Sequence, residues 1–280
     1  MLYRKDLFCF NMRKNSLLWE IRNATGELAG YLFGTIHLSH PEIDSKIVAP
    51  LQIMDSVDCL YLEINPAEFD ISFLHPKEGG VKIQDLKLFY SKPKYERLKK
   101  HLIKFCDLNL DYFMKTNPVV LMSYIESSLS NASLKEGMDM RLYLNAKKAG
   151  IPVNGLIALE QEYESMNQFN DQLKGNELYQ FSRNFKLAKR NIRRLIKLYK
   201  DEDIHQLYKL SKKPLGAMRK PLLYERNFKI LEKVKAETQT GKKILAAVGA
   251  GHLSGEFGLI RLLRMEGYNL TPVEKMPGQN

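Results

Sequence analysis

Two four-residue phrases, Gly34-Thr35-Ile36-His37 and Gly249-Ala250-Gly251-His252, each follow a short apolar run near opposite ends of a 280-residue chain. Around both phrases strand-like stretches alternate with helix-like ones, the grammar of an α/β sheet rather than of a bundle or a sandwich. Leu17 to Arg22 and Leu28 to Phe33 read as a β-hairpin closed by the turn residues Asn23-Ala24-Thr25-Gly26. Asp44 is placed as the N-cap of a helix running toward Asp55 and disturbed by Pro50. Asp58 to Ile64 has the unbroken apolar character of a buried strand and closes on Glu63. Near the other end, helix Pro221 to Glu237, strand Lys243 to Val248, helix Glu256 to Glu266 and strand Tyr268 to Val273 bracket the second phrase.

Between them the pattern turns helical. Pro93 to Phe105 is amphipathic, Pro118 is suited to the first position of a helix, and Glu136 to Ala149 is a helix stopped by Gly150. Ile151 to Leu156 reads as a short strand, Glu160 to Leu198 as long helices broken near Gly175, and Asp201 to Ser211 as one more helix. No Pro/Gly/Ser-rich linker divides the chain. The expected architecture is therefore one α/β domain over residues 1–280: a central mixed β-sheet flanked by helices, with residues 66–211 as a helical cap. The two strand-Gly-x-x-His units would be related by pseudo-symmetry.

Lys and Arg outnumber Asp and Glu by 43 to 32, a net charge of +11. The basic residues are interspersed with acidic ones along amphipathic stretches, and Lys186 to Lys200 reads as a helix with a solvated face. No nucleic-acid motif accompanies the charge, so no nucleic-acid partner is predicted. Cys9, Cys59 and Cys106 are odd in number and far apart, giving neither a disulfide framework nor a paired metal knuckle. The first twenty residues lack the apolar core of an export signal, and no window is long and apolar enough to span a membrane. These features predict a cytoplasmic protein with reduced thiols. Its oligomeric state, homo-oligomer included, stays open.

In an open α/β sheet, ligands gather beyond the carboxyl ends of the strands. His37, Glu63 and His252 all fall there in this reading, and Gly34 and Gly249 would permit sharp turns and close approach. Two imidazoles and a carboxylate form a ligand set for a divalent ion with positions left for water and substrate. The bland alternatives are a hydrogen-bonded partial-core histidine for His37 and a plain ion pair for Glu63. His40 sits before Pro41, off any helix, and reads as solvated or as a support to the site; His75, His101 and His205 read as surface residues. Gly249-Ala250-Gly251 is only part of a phosphate loop, no Gly-x-Ser-x-Gly elbow occurs, and Cys59 fits a core position.

The segments LLWEIRNATGELAGYLFGTIHLSH, CLYLEI, GMDMRLYLNAKKAGIPVNGLIALEQEYE and YERNFKILEKVKAETQTGKKILAAVGAGHLSGEFGLIRLLRMEGYNLTPVE resemble the TraB/GumN family, related to the Tiki metalloproteases and more distantly to erythromycin esterases and ChaN-like haem-binding proteins. The resemblance implies an α/β fold whose active site is built by His37, His252 and Glu63, and it draws attention to Arg226, Asp139 and Glu160. It suggests a metal-dependent hydrolase of the Tiki type acting on a peptide or other small amide substrate. His37, His252 and Glu63 would hold Mn²⁺, Co²⁺ or Zn²⁺, or Glu63 would serve as general base. Arg226 would hold a carboxylate or stabilise an oxyanion. The roles of Asp139 and Glu160 stay open, since each also suits a place within its own helix. A metal-independent, esterase-like hydrolase and a binding protein for a peptide, metal or haem are the competing readings.

Overall fold

The computed structural model describes residues 15–68, 87, 90–113, 118–130, 137–172 and 176–273. Among them six strands form one mixed sheet: β1 Leu18–Arg22, β2 Leu28–Thr35, β3 Cys59–Leu62, β4 Val153–Gly155, β5 Ile244–Gly249 and β6 Asn269–Pro272. Their spatial order is β4-β3-β5-β2-β1-β6. The β1–β2 hairpin is antiparallel, β6 is antiparallel to β1, and β2, β5, β3 and β4 run parallel. β3 and most of β5 are fully buried, as their continuous apolar sequences require of strands covered on both faces.

The order matters more than the count. β5 lies between β2 and β3, although it is far from both in sequence, Ile244 against Thr35 and Leu62. Thr35 pairs with Gly249 and Leu62 with Ala247, so three carboxyl ends are side by side. This is where chain order reverses across a parallel sheet, the place where such sheets leave a crevice. The sheet is mixed, as expected, and helices flank it.

The helices are α1 Val48–Ile53, α2 Lys92–Cys106, α3 Pro118–Ser130, α4 Met138–Ala149, α5 Leu159–Gln172, α6 Asn176–Arg183, α7 Phe185–Lys200, α8 Ile204–Lys212, α9 Arg226–Gln239 and α10 Leu259–Met265. An apolar cluster runs from the sheet residues Leu32, Leu60 and Leu245 outward to Leu98 and Leu121 on α2 and α3. Several local readings need correction. Asp44 does not cap its helix: a 3₁₀ turn, Asp44–Ile47, precedes α1, and the Asp44 carboxylate accepts from Ser39 and Arg141 instead. Pro50 is tolerated because it lies in the first turn of α1, where its missing N–H has no helical partner to lose. The helix expected from Pro221 opens as a π-helical turn, Lys220–Glu225, and becomes regular only at Arg226. Cys59 and Cys106 are buried, and His75 lies outside the described residues.

Candidate active site

Each parallel strand delivers an ionisable group just past its carboxyl end. His37 follows β2, Glu63 follows β3, His252 follows β5, and Glu162 lies in the first turn of α5 after β4. Glu63 is pinned from both sides of its peptide: its carbonyl accepts from Ile157 N at 3.0 Å, while its Oε2 accepts from Gly249 N at 3.3 Å. Arg226, first residue of α9, extends Nη2 to Glu63 Oε1 and Nη1 to Glu162 Oε2, each at 2.5 Å. All three side chains are at most 14% exposed.

A guanidinium shared by two buried carboxylates does not treat them equally. Burial alone would raise the Glu63 pKa, but Arg226, aided by His252, His37 and the Gly249 N–H, carries it down to about 2. Burial wins at Glu162, whose pKa rises despite the same guanidinium, and the charge on Glu63 adds to the rise. Glu63 is thus the fixed anion, and Glu162 is the member that would accept a proton.

The second turn is enclosed. Asn227 Nδ2 donates to the carbonyls of His252 and Phe257, at 3.3 and 2.6 Å, which leaves Oδ1 facing His252 Nδ1 at 2.6 Å. An amide oxygen can only accept. His252 therefore carries its proton on Nδ1 and presents the lone pair of Nε2, which lies 3.6 Å from Glu63 Oε1. Burial lowers the His252 pKa, so the ring is neutral. His205 Nδ1 bonds Ser254 Oγ at 2.5 Å, and Gly251 leaves no room for a side chain, since a Cβ there would lie 2.5 Å from Ser211 Oγ. His205 is accordingly a partly buried tie between α8 and the turn, rather than the surface residue expected.

The first turn is anchored differently. Asp139 in α4 accepts from Thr35 Oγ1 at 2.7 Å and pairs through Oδ2 with His37 Nδ1 at 2.8 Å. Tyr199 OH donates to the Gly34 carbonyl at 2.6 Å, and Met138 N to the Ile36 carbonyl at 3.3 Å. Asp139 raises the His37 pKa above its ordinary value, toward about 9. The side chain is 71% open to solvent, and screening by that water weakens the attraction without reversing its direction. Gly34 is needed for close approach, since a Cβ there would lie 2.6 Å from Leu253 Cδ1. Gly249 is not: the nearest atoms to an added Cβ are at 3.6 and 3.7 Å, and its φ is an ordinary −50°.

His37, Glu63 and His252 line one cavity of about 310 Å³. Much of its remaining wall is apolar, with Leu195 from α7, Leu207 from α8 and Leu215, Leu222 and Leu223 from the segment leading to α9, beside the hydroxyl-bearing Thr35, Tyr199 and Ser211. Arg226 stands behind Glu63, off the cavity wall. Glu160 lines a separate groove with Phe228 and Lys229, while Glu162, two residues on, reaches the site. Glu162, Asn227 and Thr35 were not singled out from the sequence. Only the acidic first turn of α5, following a strand as Glu63 does, offered a signal for one of them.

The fold and site together define an α/β protein with ionisable groups gathered at the switch point of a parallel sheet segment. A profile of the TraB/PrgY/gumN family matches residues 17–272, so the chain belongs to that family. No curated protein and no solved structure matches the chain. Among the described residues no helix is long and apolar enough to cross a membrane.

Proposed function

We propose that this chain is a hydrolase of peptide or related amide bonds, with His37, Glu63 and His252 as its reacting groups and a divalent ion as its cofactor. The observation that carries the reading is the split between the histidines: His252 is held neutral with Nε2 free, and His37 is held toward its cation, beside one ionised carboxylate. Environments that push titratable neighbours apart are how a site assigns an acid and a base.

The residues fit an ion in three respects. Both imidazoles are anchored through Nδ1, the support that metal-ligating histidines commonly have, which frees Nε2. His252 Nε2 and Glu63 Oε1 are 3.6 Å apart, a span that two ligands with bonds of about 2.0–2.2 Å can bridge. Glu63, Glu162 and Asp139 outnumber Arg226, leaving surplus negative charge when both imidazoles are neutral. Among the described residues no three of His, Cys, Asp or Glu are grouped closely enough to hold an ion, so His37 completes the set only if its exposed ring turns. A bound divalent ion supplies a water of lowered pKa, about 7 in favourable sites.

The chain's own groups account for the rest. Arg226 and the Gly249 N–H keep Glu63 ionised, so that it can bind the ion or orient the attacking water. In the metal-free alternative His37 would give its proton to the departing amine, with Asp139 favouring its recharging from solvent; as a ligand it would be neutral, its Nδ1–H held by Asp139. The leucine-rich wall limits water around the substrate. Elemental analysis of protein purified without chelator should find about one ion per chain, and none in the His37→Ala/His252→Ala variant, which should also lose peptide cleavage. Metal retained by that variant would remove these histidines as ligands.

One observation favours a metal-independent route: Glu63 Oε1 already contacts Arg226 at 2.5 Å. Turnover that survives exhaustive chelation selects this second reading. Peptide recovered intact from metal-loaded protein would point to a binding protein instead.

A further inference from the structure

The α7 helix carries seven Lys or Arg residues and no Asp or Glu along its 16 residues. Beside it lies a groove of about 590 Å³, floored by Leu129, Ile192 and Ile196 and edged by Lys189, Arg193 and Lys197, with the carboxylates Glu42 and Asp201 near Lys200 at one end. Among the described residues no carboxylate is within ion-pair distance of these three cations, whereas Lys200 at the groove's end pairs with Glu42 at 3.3 Å. The groove and the catalytic cavity share no lining residue but lie against neighbouring faces of α7, which lends Leu195 and Tyr199 to the cavity, and the loop that carries His37 continues to His40 and Glu42 on the groove wall.

We infer that this groove binds an acidic, extended stretch of the substrate polypeptide that flanks the bond held at the catalytic cavity. The inference rests on the hydrolase reading for its setting and on the groove for its chemistry. Lys189, Arg193 and Lys197 are four residues apart, one row on a helix, with steps of about 6 Å. Carboxylates on alternate residues of an extended chain recur about every 6.7 Å. Flexible Lys and Arg stems absorb so small a mismatch, and three carboxylates meet three cations in register. A concave trough with a packed apolar floor suits a single chain better than the plane of a membrane, which would meet a flat or convex basic face.

The test uses the full-length protein and a fluorescein-labelled peptide that places a leucine-rich stretch before three Glu at alternate positions, with a Gln counterpart. Fluorescence anisotropy at low salt should show the Glu peptide binding about tenfold tighter, a preference that shrinks as salt rises, since exposed ion pairs are individually weak. Lys189→Gln/Arg193→Gln/Lys197→Gln should erase the preference while leaving cleavage of the Gln peptide and thermal stability unchanged. Equal affinity for the two peptides, or a preference that persists in the triple variant, overturns the inference. So does binding of phosphatidylserine vesicles in place of the peptide, lost in the triple variant, which would make the face a membrane contact. Repeating the binding on His37→Ala/His252→Ala needs no turnover: Glu preference without any cleavage by the wild type sinks only the hydrolase reading, and cleavage without Glu preference sinks only the groove.

Discussion

The two Gly-x-x-His turns are built from the same phrase on adjacent parallel strands, yet they hold their histidines in opposite states. His37 is 71% exposed and bonded to a carboxylate; His252 is 12% exposed and bonded to an amide. The first arrangement favours a cation and the second a neutral ring with a defined tautomer. Even the glycines differ in purpose, because a Cβ on Gly34 would clash with Leu253 and crowd Ala250 while Gly249 has room for a methyl group. A repeated phrase therefore sets where a histidine arrives, and the partner on a third element sets what it does.

The largest test removes the cation shared by the two buried glutamates. Arg226→Leu strands Glu63 and Glu162 as buried carboxylates without a counter-charge and should cost about 3–5 kcal/mol in denaturant unfolding. A loss below 1 kcal/mol would mean that solvent already compensates this pair. Next, Asn227→Leu leaves His252 Nδ1 and two carbonyls unpaired, at about 1–3 kcal/mol. Nitrogen-15 NMR of the His252 ring should show Nδ1–H in the wild type and a mixture of tautomers in the variant.

The glycines give a sharper contrast at similar scale. Gly34→Ala should destabilise by about 1–3 kcal/mol through overpacking, while Gly249→Ala stays within about 0.5 kcal/mol. Equal costs would erase the distinction drawn between the turns.

The smallest effect is electrostatic. Folding raises the His37 pKa, so its contribution to stability is complete below about 6.5 and disappears as pH climbs through about 9. With the ring so exposed the effect should stay under about 1 kcal/mol. Thermal melts of metal-free wild type and Asp139→Asn should differ at pH 6 and converge near pH 10. A constant gap would assign Asp139 a role through Thr35 alone.

Much of the sheet was legible. The hairpin, the strand ending at Glu63 and the strand ending at the second Gly-x-x-His were each expected within one or two residues, because buried strands advertise themselves as apolar runs bounded by turn residues. Less legible were features with no local cause. Asp44 reads as a cap but is drawn to Arg141, 97 residues away, and His205 reads as surface but meets Ser254. Arg226 and Asp139 came into view only through family resemblance; their partners Glu63, Glu162, His37 and Thr35 lie far off in sequence.

By itself the sequence determined which side chains stand just beyond the apolar strands, because continuous apolar runs and the turn residues that bound them are local properties. Tertiary structure alone decided their chemistry. By inserting β5 between β2 and β3 the fold brings Glu63 between His252 and Arg226, and by docking α4 and α9 it gives one histidine a carboxylate and the other an amide. Protonation depends on distance to charge and on burial, and no spacing along a single chain encodes either.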